Sequence, residues 1–303
     1  MEGRTTLKKN CLYLLPILII IGLAVAFNYS LSKYQISKTV PAPEQSQQKA
    51  TLNNNDTNVI NTNIPKQQTP PAAEVKPAVS STTPNTNIGP SIPILMYHEI
   101  GNGPNSLYVS QENFRAQMHY LRSNNYNIVT MVEARDMLVK GDIPPKTAVI
   151  TFDDGYVSVY TRAWPILQEY GFPATVYVCS SFPGLYNYLT WDQIKILHDG
   201  GIEIGSHTRT HPALNSVSSA KLTEEVIGSK KELEEKLGAS VNSFCYPSGA
   251  YNEYTPAVVK KAGYTSAVTV VNRKAAPKDD FYHVPRIRVP KAATISTFSD
   301  YLK

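Results

Sequence analysis

From Ser91 to the C-terminus, short apolar runs alternate with amphipathic stretches, the pattern of repeated β-α units. The predicted strands are Ile92–Tyr97, Asn127–Thr130, Thr147–Phe152, Ala174–Cys179, Ile202–Ser206, Ser243–Tyr246, Thr265–Val270 and His283–Val289. Helices with readable ends lie between most of them. Thr130 with Glu133, and Thr190 with Gln193, fit capping boxes, because the hydroxyl accepts from the first turn while the third residue reaches back. Phe114, Met118 and Leu121 form an apolar stripe at i, i+4, i+7. Thr255-Pro256 reads as an N-cap followed by proline at the first helical position, and Gly238 and Gly263 suit helix ends. Such an alternation suits a compact α/β fold, a (β/α) barrel, with a doubly wound open sheet as the alternative. In either, catalytic groups belong just past the C-terminal ends of strands.

The chain ahead of Ser91 has another character. Asn10 to Ser32 is 23 residues without a charge, with Arg4, Lys8 and Lys9 on its N-terminal side. Residues 1–32 are therefore expected to form a cytoplasmic tip and a single-pass membrane anchor, with everything beyond outside the cell. Ala24-Val25-Ala26 resembles a signal-peptidase site, and cleavage there would instead give a secreted protein. Residues 33–90 are rich in Asn, Gln, Thr, Pro and Ala, contain no Trp or Phe, and read as a disordered extracellular linker. Residues 91–303 remain as the catalytic domain.

The formal charge of +5 divides unevenly, since residues 91–303 hold 21 Lys+Arg against 20 Asp+Glu. A nucleic-acid partner gains no support from that balance. Of three cysteines, Cys11 adjoins the uncharged segment, leaving Cys179 and Cys245 as a pair able to form one bridge but no disulfide framework.

Two candidate clusters sit at strand ends. Ala148-Val149-Ile150 runs into Thr151-Phe152-Asp153-Asp154-Gly155, where a glycine turn lets adjacent carboxylates approach one centre. One could bind a metal while the other moves a proton, or both could simply cap a turn. Gly205-Ser206-His207-Thr208-Arg209-Thr210-His211-Pro212 follows another short strand. Histidines four apart face the same way in a helix or tight turn, and two imidazoles with one carboxylate leave a metal open positions for water and substrate. His98 ends its strand and so lies on the same rim.

These runs, with Pro93-Ile94-Leu95-Met96-Tyr97-His98, resemble the NodB-type polysaccharide deacetylases of carbohydrate esterase family 4 in order and spacing. The resemblance implies a distorted (β/α) barrel, the NodB homology domain, and removal of acetyl groups from N-acetylglucosamine-type sugars of a cell-wall glycan or exopolysaccharide. Peptidoglycan, a chitin-like polymer and poly-N-acetylglucosamine are the implied partners. It also implies a divalent metal, Zn2+ first, with Co2+, Ni2+ or Mn2+ as substitutes. Carried over, Asp153 is the general base, and Asp154, His207 and His211 are the metal ligands. A catalytically weak glycan-binding homologue and a polysaccharide O-acetyl esterase are the competing functions.

The third motif departs from the family pattern: in Phe244-Cys245-Tyr246-Pro247-Ser248-Gly249, Cys245 stands where arginine is expected and Ser248 where an aromatic is expected. The Ser248 backbone N–H can still serve as oxyanion donor. The guanidinium that normally steadies the catalytic aspartate is expected from Arg286, or else Arg288, on the last strand, as in a branch that includes poly-N-acetylglucosamine deacetylases. Tyr246 and Pro247 are expected to reach the cleft and contact substrate, with Trp191, Tyr251 and Tyr186-Asn187-Tyr188 as further stacking candidates. The family's C-terminal leucine–histidine motif has no clean match, so His98, His283 or water takes the general-acid role.

Overall fold

The computed structural model describes residues 89–303. The expected anchor, and all but the last two residues of the expected linker, lie outside the described residues. Among the described residues no helix is long and apolar enough to cross a membrane.

Ten strands are present: β1 Ile94–Tyr97, β2 Glu99–Ile100, β3 Tyr108–Val109, β4 Asn127–Val129, β5 Thr147–Phe152, β6 Thr175–Val178, β7 Glu203–Ser206, β8 Ser243–Cys245, β9 Ser266–Asn272 and β10 Val284–Arg288. Every strand expected from the sequence is among them; the short parallel pair β2–β3 is additional. The large sheet is parallel throughout and runs β1-β10-β9-β8-β7-β6-β5-β4, with β1 also paired to β5. That pairing closes seven strands into a distorted (β/α) barrel and rules out the open sheet. One edge of β5 is shared: Thr147 to Val149 pair with β4, and Thr151 and Phe152 with β6. β4 thus lies outside the closed ring.

Because side chains alternate across a strand, each barrel strand feeds two environments. Leu95, Tyr97, Ile150, Phe152, Val176, Val178, Ile204 and Phe244 point outward and pack with Phe114, Met118, Leu121 and Ile166 from the helices. Ile94, Val149, Tyr177, Cys245, Val268 and Val284 point inward, joined by Met131, Ala134 and Leu138 from the helix Met131–Lys140. Continuing the inward rows in steps of two reaches Thr151 and Asp153, His207, and Arg286 and Arg288, so the barrel interior turns from apolar to polar toward the C-terminal ends of its strands.

The local signals for the helices hold. Both capping boxes form, Phe114, Met118 and Leu121 are buried on Gln111–Ser123, and Gly238 takes the left-handed conformation that ends Ser229–Leu237. The helix Thr255–Lys261 starts one residue earlier than expected: Tyr254 holds the N-cap position without a side-chain capping bond, and Asn252 Oδ1 accepts from the Tyr254 and Thr255 N–H groups and the Thr255 hydroxyl. Two π-helical turns follow the chemistry-bearing loops, Val159–Ala163 after β5 and Glu224–Gly228 after β7.

Candidate active site

β5 ends in two adjacent carboxylates that go separate ways. Asp153 continues the inward row of the strand, its backbone N–H donating to Tyr97 O. Asp154 has φ 70° and Gly155 φ 77°, so the chain turns left-handed immediately after Asp153. The reversal swings the Asp154 carboxylate toward the end of β7. Its Oδ1 lies 3.3 Å from Nε2 of His207 and 3.3 Å from Nε2 of His211.

The two histidines are brought together by a turn rather than a helix. Thr208 and His211 have φ values of 70° and 59°, and the His211 N–H donates to Thr208 Oγ1 at 3.0 Å. The His207 ring is anchored by Nδ1, 2.8 Å from the Cys245 carbonyl oxygen. A carbonyl only accepts, so Nδ1 carries a hydrogen and Nε2 is the atom directed at Asp154, donating to it when the ring is charged and open to an ion when it is not.

Asp153 is held by an arginine from across the barrel. Arg286 is fully buried and uses all five N–H groups. Nη1 and Nη2 donate to Oδ1 and Oδ2 of Asp153, each at 2.7 Å. Nε donates to Thr269 O, and the remaining two reach Thr151 Oγ1 at 3.1 Å and Cys245 Sγ at 3.2 Å. The Tyr177 ring centroid lies 5.7 Å from the guanidinium carbon. Cys245, from the position where arginine was expected, is small enough to leave this space to Arg286. Arg288, two residues on, lines the mouth of the cleft instead.

Electrostatics separates the two aspartates further. Burial pushes the Asp153 carboxyl up, but the Arg286 guanidinium outweighs it and holds the group below the usual carboxylate value. Burial acts the same way on Asp154, and hydrogen bonds from His207 and His211 bring it well below that value. For His207, burial opposes protonation, yet the neighbouring Cys245 sulfur and Asp154 push it up to about 10. His211 is raised mainly by its bond to Asp154.

Asp154, His207 and His211 offer one carboxylate oxygen and two imidazole nitrogens within 4.8 Å of one another, a donor set suited to a divalent metal. Asp153, His207 and Cys245 are equally close, but Asp153 is committed to Arg286 and the His207 Nδ1 to the Cys245 carbonyl. The first set therefore fits an ion and the second does not.

These groups line a cleft of about 350 Å3, with Met96, His98, Leu107, Ser248, Val270 and Arg288 completing its walls. His98 Nε2 is 3.9 Å from Asp153 Oδ2, and burial lowers its pKa. Ser248 lies at φ 53° in the short turn Pro247–Gly249, on the cleft wall.

Several expected contacts are not made. Tyr246 is fully buried and donates its hydroxyl to Tyr282 O, because it shares strand parity with Phe244 and points into the outer core. Pro247 is buried and does not line the cleft. Tyr251 packs on Tyr246 with ring centroids 4.6 Å apart, and Trp191 packs against the outer core. His283 is bonded to Asp280 away from the cleft. Cys179 and Cys245 are buried free thiols, so the bridge does not form. Leu107 and Val270 were not anticipated; Val270 follows from the inward row of β9, whereas nothing in the sequence singles out Leu107.

The same fold recurs in known proteins. A family model described as polysaccharide deacetylase matches residues 140–267. YxkH of Bacillus subtilis, which carries that family's name, is 37% identical over 213 residues, covering 70% of this chain and 76% of its own. The poly-β-1,6-N-acetyl-D-glucosamine N-deacetylase of Staphylococcus aureus is 28% identical, over 60% of this chain and 67% of its own. Among solved structures, the Streptococcus pyogenes deacetylase PplD in complex with acetate superposes with a TM-score of 0.68 at 27% identity, covering 71% of this chain and all of that one. A shared barrel alone would leave the chemistry open, but the extended similarity to YxkH spans most of both chains, and by it this chain belongs to the polysaccharide deacetylase family.

Proposed function

We propose that this chain removes N-acetyl groups from N-acetylglucosamine-type units of a cell-envelope or extracellular glycan, using a divalent ion held by Asp154, His207 and His211. The observation that carries the reading is the separation of the aspartates: Asp153 takes a bidentate arginine, while Asp154 faces two histidines. A binder would need only the second arrangement; a hydrolase needs both.

Bound there, the ion supplies Lewis acidity, strengthening water as an acid and the acetyl carbonyl as an electrophile. Asp153 stays ionised at neutral pH because of Arg286, and it takes the proton of the attacking water. The Ser248 N–H, on the cleft wall, stabilises negative charge developing on the carbonyl oxygen. His98, kept neutral by burial, receives the proton from Asp153 and delivers it to the departing amine. Two imidazoles and a carboxylate favour Zn2+, with Co2+, Ni2+ and Mn2+ as substitutes. The N-terminal uncharged segment supports a membrane-tethered enzyme acting outside the cell.

Acetate release from N-acetylglucosamine oligomers, peptidoglycan and acetylated xylan, with Asp153→Asn as control, tests the reading. Release from the first two, abolished in the control, is expected. Release from xylan alone points to an O-acetyl esterase, and no release from any, with one ion bound per chain, points to a binding protein. Metal analysis of the purified protein and protease accessibility on intact cells test the ion and the location.

A further inference from the structure

The three groups assigned to the ion are not equally anchored. Asp154 is aimed by the left-handed turn at the end of β5, and the His207 ring is tied to the Cys245 carbonyl. His211 is half-exposed, and among the described residues its ring bonds only to Asp154. Its placement therefore depends on the backbone of the turn 208–211, where Thr208 and His211 both adopt a left-handed conformation that side-chain-bearing residues disfavour. Something outside the turn must hold it.

That group is Glu225, whose side chain is completely buried although the adjoining Glu224 is exposed. One oxygen, Oε2, accepts from the backbone N–H of Arg209 and of Thr210, each at 2.8 Å. The other, Oε1, accepts from Thr210 Oγ1 at 2.6 Å and pairs with Lys221 Nζ at 3.0 Å. Both amides at the crest of the turn thus end on one carboxylate oxygen. Glu225 sits in the π-helical turn Glu224–Gly228, an insertion of a kind concentrated at functional sites. Gly228 completes the fit, since a Cβ there would lie 2.9 Å from Arg209 Cδ.

We propose that Glu225 is a positioning residue for the metal centre: its buried carboxylate fixes the 208–211 turn and through it the second histidine. The inference rests on Asp154, His207 and His211 being the metal ligands. Supporting groups of this kind typically govern ion affinity by about 10- to 100-fold.

The test strips the full chain with chelator and titrates it with Co2+, reading affinity and the d–d absorption bands, alongside the melting temperature of the metal-free protein. Glu225→Asp keeps the charge but withdraws the carboxylate by one methylene; Glu225→Gln keeps an oxygen at the right reach. The expected result is at least tenfold weaker Co2+ binding and a changed spectrum for Glu225→Asp, with Glu225→Gln within about threefold of wild type. Thr210→Val, which removes one contact without touching the carboxylate, is expected to weaken binding several-fold. A merely structural role would lower the metal-free melting temperature and leave affinity and spectrum unchanged, and that result overturns the proposal. So does equal loss in the Asp and Gln variants, or unchanged binding in Thr210→Val should Glu225→Asp not fold. No Co2+ uptake by wild type refutes the metal site itself, whereas wild-type uptake matched by every variant refutes only the role of Glu225.

Discussion

Replacing Arg286 by methionine leaves Asp153 buried without a partner, and the size of the effect follows from the geometry. Both carboxylate oxygens lose a 2.7 Å charge-assisted hydrogen bond, in a site where Arg286 is fully buried and Asp153 only 3% exposed. Removing one member of such a pair costs about 3–5 kcal/mol. Two charges about 4 Å apart at an effective dielectric of about 20 interact by about 4 kcal/mol, the same size as that cost. With the guanidinium gone, burial is unopposed and the carboxyl moves from below the usual value toward neutrality. In wild type the depressed pKa contributes stability that is present above the unfolded value, about 3.9, and is lost as pH falls through the folded pKa. In the variant the pKa is raised, so stability declines as pH rises above the unfolded value. The gap between the two proteins should therefore be about 3–5 kcal/mol at pH 7 and shrink toward pH 4. Urea unfolding of the metal-loaded proteins at pH 4, 5.5 and 7 measures it, and the acid limb of acetate release should move upward in parallel. A gap independent of pH, or acetate release at pH 6 equal to wild type, would refute the coupling.

The adjacent aspartates should separate in experiment: Asp153→Asn retains one ion per chain and loses at least about a hundredfold in acetate release, whereas Asp154→Asn loses the ion itself, both read by metal analysis and turnover. His207 is pushed up to about 10 and His211 is raised by its bond to Asp154, so the metal-free chain carries His207 as a cation at pH 7. Their contribution to stability is complete below the ordinary histidine value, about 6.5, and disappears as pH rises through the folded values. Ion uptake at pH 7 should accordingly release at least about one proton per chain; calorimetry in two buffers of different ionisation enthalpy measures it, and no release contradicts the assignment. Cys245→Arg placed in the Arg286→Met background should restore part of the lost acetate release, while Cys245→Arg alone should lower it by forcing two guanidinium groups toward one carboxylate.

The barrel was legible because its signals are local. Runs such as Ala148-Val149-Ile150 are apolar on both faces, as strands of a covered parallel sheet must be, and the Thr130 and Thr190 caps mark helix starts within four residues. Closure was not local, since it depends on β1 pairing with β5, more than fifty residues away. Asp153, Asp154, His207 and His211 were legible as strand-end chemistry. Tyr246 lies beside a cleft motif in sequence, but strand parity pairs it with Phe244 on the outer face. Glu225 was illegible for a different reason. In Lys221-Leu222-Thr223-Glu224-Glu225 a charged run reads as an exposed helix face, and only the π-helical turn rotates one of the two glutamates inward.

Arg286 explains why a cysteine at 245, where the family resemblance leads one to expect arginine, does not dismantle the site. What Asp153 requires is a guanidinium at a point in the barrel, not at a point in the chain, and in a closed barrel inward residues of different strands converge on the same space. β8 and β10 are separated by β9, yet Cys245 Sγ and Arg286 Nη2 are 3.2 Å apart. The position can move between strands only if the newcomer satisfies every donor in its new surroundings, because a buried N–H without a partner carries the full cost of desolvation. Arg286 does so with Thr151, Asp153, Cys245 and Thr269. A lysine at 286 would keep the charge but could not bind both oxygens of Asp153 while also reaching Thr269 O, since it lacks the planar fork. The requirement for arginine thus follows from the number and direction of the acceptors, and it holds whichever strand supplies the side chain.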